Sequence, residues 1–93
     1  MEPKVERISP SGRHFFFGYY DKTPWDPRMA RILSMECFIS GRLPTSHDSI
    51  DIGFFEKDKY GKWDWNKVDE TNAWNFQQGC MLQWLDQHSI IYN

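Results

Sequence analysis

Cysteine is scarce in this 93-residue chain: Cys37 and Cys80 allow one internal bridge at most, and neither belongs to a CxxC or Cys/His ligand pattern. A structural zinc site is therefore not expected, and of one bridge or two buried, unpaired thiols the latter is the expectation. There is no basic stripe either. Eleven Lys and Arg are scattered among thirteen Asp and Glu for a net charge of −2, which argues against a nucleic-acid partner. No apolar run approaches the roughly 20 residues of a helical membrane span. The opening residues Met1 to Arg7 lack a signal-type apolar region, and the compartment stays open. Gly-rich phosphate loops and nucleophile elbows are missing, so no motif specifies a reaction, and no cofactor is implied. Helix formers are few: alanine occurs only at Ala30 and Ala73.

Aromatic residues stand in their place. Phe, Tyr and Trp make up 17% of the chain, with five tryptophans at positions 25, 63, 65, 74 and 84, and such a composition favours strands. The expected fold class is all-β. Ser9-Pro10-Ser11-Gly12 is a turn signature, and His14 to Tyr20 reads as an inner strand, apolar on both faces. Pro24 and Pro27 interrupt the ladder. Met29 to Ile39 is a second strand, with Leu33, Met35, Cys37 and Ile39 on its apolar face. Ser40 to His47 reads as a polar loop. Ser49 to Lys57 is a third strand, placing Ile50, Ile52 and Phe54 on one side of the pleat. Asp58-Lys59-Tyr60-Gly61 predicts a hairpin turn, and Lys62 to Trp65 starts the returning strand, with Trp63 and Trp65 sharing a face. Asn66 to Asn72 reads as a polar connector.

The order then starts again. Trp74 lies 59 residues after Phe15, Trp84 59 after Trp25 and Ile91 59 after Ile32, so aromatic strand, Trp-bearing turn and β-rich strand recur in sequence. A meander of four strands is the composition of a propeller blade. The expected architecture is an antiparallel meander of about one and a third β-propeller blades, a truncated propeller. Residues 1–72 form the first blade and 73–93 the first two strands of a second. A second copy that stops after two strands leaves an open edge and half an apolar face. Self-association through open strand edges, or a longer parent chain, is the expectation.

Ser-Pro-Ser-Gly at 9–12, Gly18-Tyr19-Tyr20-Asp21-Lys22 and the Pro-Trp-Asp-Pro behind it resemble the opening blade of the propeller superfamily that includes oligogalacturonate lyases and TolB-type repeat proteins. Trp25-Asp26-Pro27-Arg28 before Arg31-Ile32-Leu33 is similar to the Trp-x-Pro turn and following strand of those repeats. Trp84-Leu85-Asp86-Gln87 before Ile90-Ile91-Tyr92 resembles it too, without the Pro and Gly. The resemblance implies a protein concerned with binding or degrading uronate-type oligosaccharides. The lyases hold a metal with a late His/Gln cluster, which has no counterpart here, so no metal ligand is carried over.

The candidate ligand-facing group is Tyr20, Asp21, Lys22, Gln77 and Gln78. In a propeller the ends of innermost strands rim the central channel, and these residues offer acid, base, amide and aromatic groups suited to a sugar. The alternative is that Asp21 caps a turn and Lys22 is solvated. No catalytic residue is assigned. His47-Asp48 has the makings of a general base, against the simpler reading of a solvated loop histidine. Trp63 and Trp65 suit a sugar platform, against packing on a neighbouring sheet. Two further functions are open: a non-catalytic propeller scaffold for protein contacts, and a small self-contained carbohydrate-binding β-domain.

Overall fold

The computed structural model describes residues 8–10, 12–19, 22–39, 42–43, 45, 47–75 and 79–93. The fold is all-β and antiparallel. Four strands, β1 (His14–Phe16), β2 (Arg31–Cys37), β3 (Ile50–Lys57) and β4 (Trp63–Thr71), pair in sequence order as one sheet. Two short strands, β5 (Gln83–Trp84) and β6 (Ile90–Ile91), make a second. No helix forms among the described residues.

The pairings define two faces of the larger sheet. Phe16 opposite Met35, Met35 opposite Ile52 and Leu33 opposite Phe54 share one side with Ile50 and Cys37, because side chains alternate across the pleat. This inner face is closed by the second sheet. Leu33, Met35, Cys37, Ile50 and Ile52 join Cys80 and Leu82 in a single buried cluster, with Trp74, Trp84, Ile90 and Tyr92 packed around it. Each such aliphatic side chain removed from water contributes about 1.5 to 3 kcal/mol.

The opposite, aromatic face carries Phe15, Ile32, Phe55 and Trp65. Phe15, Phe55 and Trp65 form a triangle with ring centroids 4.9, 4.9 and 5.0 Å apart. Trp63 meets Trp25 edge-on at 6.2 Å. Polar residues are buried on this face as well. Ser34 donates to the Phe16 carbonyl at 3.2 Å, and Glu36 accepts two bonds of 2.6 Å from the Arg13 guanidinium. The central strand β2 is therefore covered on both sides from Leu33 to Cys37, a burial that the alternation of Ser34 and Glu36 with apolar residues had concealed.

Several expectations are corrected. The first strand stops at Phe16, short of Tyr19; Gly18 has a φ of 81° and turns the chain out of the ladder, which resumes only where Trp25 pairs with Ile32. The expected strand Met29–Ile39 begins at Arg31, because Met29 at a φ of 57° still belongs to the turn. Asn66 to Thr71, expected as a connector, continues β4. Its outward edge and one face meet solvent, so its polar composition is that of an exposed edge strand rather than of a loop. Charges along that edge and a bulge at Val68, left without a partner where the register shifts, are features that keep an edge from pairing further. The Asp58 to Gly61 hairpin forms as expected, the Gly61 amide donating to the Asp58 carbonyl at 3.0 Å.

The recurrence of the Trp-bearing turn is visible in hydrogen bonds. Trp25 pairs with Ile32, and the Asp26 amide donates to the Arg31 carbonyl at 3.0 Å. Trp84 pairs with Ile90, and the Leu85 amide donates to the Ser89 carbonyl at 2.8 Å. The counterpart of Ile32 is thus Ile90 and not Ile91, since the second turn is one residue shorter.

Candidate functional site

Of the residues expected to face a ligand, Tyr20, Asp21, Gln77 and Gln78 lie outside the described residues. Their sequence neighbours are close in space. Gly79 lies so near the end of β1 that a Cβ there would stand 3.0 Å from the Phe17 carbonyl oxygen and 2.6 Å from the Met35 Cε. Only glycine fits, and its φ of 61° is one that L side chains avoid. Gly79 is thereby held against Phe17 and Met35.

Lys22 is exposed and its amide donates to the Tyr19 carbonyl at 3.0 Å. It opens a cleft of about 300 Å³ whose lining includes Trp25, Asp26, Met29, Gln83 and Trp84, a volume at the lower end of ligand clefts. The cleft lies where the Trp25 turn of the first sheet meets the β5 strand of the second. Trp84 is anchored there by an indole N–H donated to the Pro24 carbonyl at 2.9 Å.

Asp26 is the one fully buried carboxylate of this wall, 1% exposed. Its Oδ1 accepts from the amides of Ala30 and Arg31 at 2.7 and 2.9 Å. Its Oδ2 finds no hydrogen-bond donor among the described residues, with the Arg31 Nε 3.7 Å away. Burial pushes this carboxyl up, but the two amides and the Arg31 charge outweigh burial and hold it below the ordinary 3.8. The group is ionised at neutral pH.

Arg31 joins the two sheets. Its guanidinium donates to the Gln87 carbonyl and lies 4.9 Å from the centre of the Trp84 ring and 5.4 Å from that of Phe54. Reading the sequence singled out neither Asp26 nor Arg31 nor Gln83 as a site residue. The Asp26-Pro27 turn signal and the recurrence of tryptophan mark the place, whereas nothing in the sequence marks Gln83.

The remaining candidates have structural partners. Both oxygens of Asp48 are taken by the Arg42 guanidinium at 2.7 and 2.8 Å, and Oδ2 also accepts from the Thr45 amide. Arg42 foremost, then the Thr45 amide, hold Asp48 well below the usual carboxylate range. That carboxylate is committed to the loop, and His47 beside it is exposed. Trp65 packs in the aromatic triangle and Trp63 against Trp25. Cys37 and Cys80 are both buried and unbridged; burial pushes the Cys80 thiol up to about 11. Among the described residues no three His, Cys, Asp or Glu side chains gather as metal ligands would.

Comparison with protein-family models, with curated proteins and with solved structures finds no match for this chain.

Proposed function

We propose that this chain is part of a β-propeller that binds an acidic carbohydrate, with the ligand held beside Lys22 where the Trp25 turn meets the second sheet. The cleft itself carries this reading: it sets an exposed ammonium, indole surface and a side-chain amide around one opening. In it, Lys22 meets the carboxylate of a uronate residue, Trp25 offers a flat apolar surface to the sugar ring, and Gln83 bonds hydroxyl groups. The buried, ionised Asp26 shapes the wall and balances Arg31. The four-stranded meander and the recurring Trp turn support the propeller assignment. No reaction is assigned to the chain.

The test is a calorimetric titration of the 93-residue protein with oligogalacturonate and, separately, with a neutral glucose oligomer of equal length. Selective binding of the acidic sugar is expected, weakening as salt screens the Lys22 charge, and lost in Lys22→Gln, whose exposed position leaves the fold intact. Equal binding of both sugars, or an unaltered Lys22→Gln, would sink the reading.

A further inference from the structure

The cleft beside Lys22 does not stand alone. Trp25 and Met29, which line it on one side, also line a second cleft of about 470 Å³ together with Ala30, Glu56, Lys57 and Trp63. The two openings therefore share one wall. That wall is fixed by the local backbone: the Met29 amide donates to the Asp26 carbonyl at 2.9 Å, and Met29, at a φ of 57°, closes the turn while remaining 64% exposed.

The far side of the second cleft comes from the end of the β3–β4 hairpin. Lys57 and Trp63 are directly opposite one another, two residues along from the paired Phe55 and Trp65, so the pleat places them on the aromatic face. They stand at its margin, beyond the buried centre at Phe55. Lys57 is exposed and Trp63 half-buried, and the Lys57 Nζ lies 5.3 Å from the centre of the Trp63 ring. The acidic residue of this lining, Glu56, leaves the other side of the pleat, where its carboxylate stands 4.0 Å from the Arg31 Nε. Its charge is thereby offset by Arg31. Each cleft thus sets an exposed ammonium beside indole surface, Lys22 with Trp25 and Trp84 in the first and Lys57 with Trp63 in the second.

We propose that the second cleft is a further subsite for the same acidic sugar chain, with Lys57 taking the carboxylate of one uronate residue while Lys22 holds that of another. This inference rests on the reading of the Lys22 cleft given above. The occupant is a polyuronate because such a chain repeats, residue by residue, the two features that the clefts repeat their complements to: a carboxylate and a ring with an apolar face. An ammonium over an exposed indole is only weakly held, so Lys57 is free to turn to the carboxylate and leave the Trp63 ring to the sugar. A chain long enough to cross Trp25 and Met29 engages both clefts at once, and the second contact then forms at high effective concentration.

The test is a pair of calorimetric titrations of the 93-residue protein, with digalacturonate and with hexagalacturonate. Lys57→Gln is expected to weaken the hexamer about tenfold and to leave the dimer unchanged, whereas Lys22→Gln removes binding of both. Lys59→Gln, at an exposed lysine that lines neither cleft, is expected to change neither. The Trp63 indole N–H resonance is expected to shift on addition of the hexamer and to stay in place with the dimer. If the unaltered protein binds neither sugar, the reading of the Lys22 cleft falls and this one with it. If both sugars bind but the hexamer is indifferent to Lys57→Gln, or is weakened equally by Lys59→Gln, the second subsite alone is overturned.

Discussion

On one side of the four-stranded sheet Leu33, Met35, Ile50 and Ile52 lie under the second sheet with at most 1% of their surface exposed, while on the other Phe15, Trp63 and Trp65 remain half-buried. The covered side is built from aliphatic and sulfur-bearing side chains that need close packing to be worth burying. The other side is built from rings that meet edge to face around Phe55, itself 3% exposed, and from ion pairs at its margins, Arg13 with the buried Glu36 and Lys67 with Asp51.

The largest effect that would break this contrast is truncation on the covered side. Leu33→Ala is expected to cost about 3 kcal/mol, the typical loss for a leucine in a closed core. Phe15→Ala is expected to cost about half of that, roughly 1.5 kcal/mol, since its ring already meets solvent. Urea denaturation of the two variants checks the ratio, and equal losses would mean that the faces are equally consolidated. Arg31→Met comes next, at about 2 kcal/mol, because it severs the Gln87 link and leaves the Asp26 carboxylate without its counter-ion. The same denaturation series reads it, with Trp84 fluorescence reporting loosening of the second sheet.

Gly79→Ala sharpens the comparison at the junction. The added methyl meets Met35 and the Phe17 carbonyl, and the left-handed backbone costs a further 1 to 2 kcal/mol or so. The expected signature is a lowered thermal midpoint together with a changed environment at Trp74.

The smallest effect is in pH. A Cys80 thiol raised from 9.0 to about 11 stabilises the fold fully below pH 9, and that contribution is lost as pH rises through 11. The urea midpoint is expected to fall over this interval, and the fall to flatten in Cys80→Ala. At the acid end the lowered carboxyls of Asp26 and Asp48 act in the opposite direction: their contribution is present above pH 3.8 and disappears as pH falls below it. A midpoint independent of pH from 9 to 11 would show that the thiol is not held protonated by burial.

Much of the sheet was legible in the residues. Period-two alternation in Ser49–Lys57 located β3, and Asp58 to Gly61 marked its hairpin, because these features depend on local backbone and pleat geometry alone. The end of β4 was not legible, since Asn66 to Thr71 faces water and an edge strand has the same composition as a loop. The candidate site divides likewise. Lys22 and the Trp25 turn stood out in the sequence, but the meeting of Asp26, Arg31 and Gln83 did not, as it joins positions more than fifty residues apart.

What the sequence determined by itself is the all-β character, the apolar stripe on β2 and β3 and the recurrence of a tryptophan-bearing turn, each a matter of side-chain period and turn chemistry within a few residues. The tertiary structure alone decided which face of the sheet is covered, that Ile90 rather than Ile91 corresponds to Ile32, and that a cleft opens between Lys22 and Gln83. Those outcomes depend on how one sheet lies on another, and an alternating pattern says that a face is apolar without saying what will cover it.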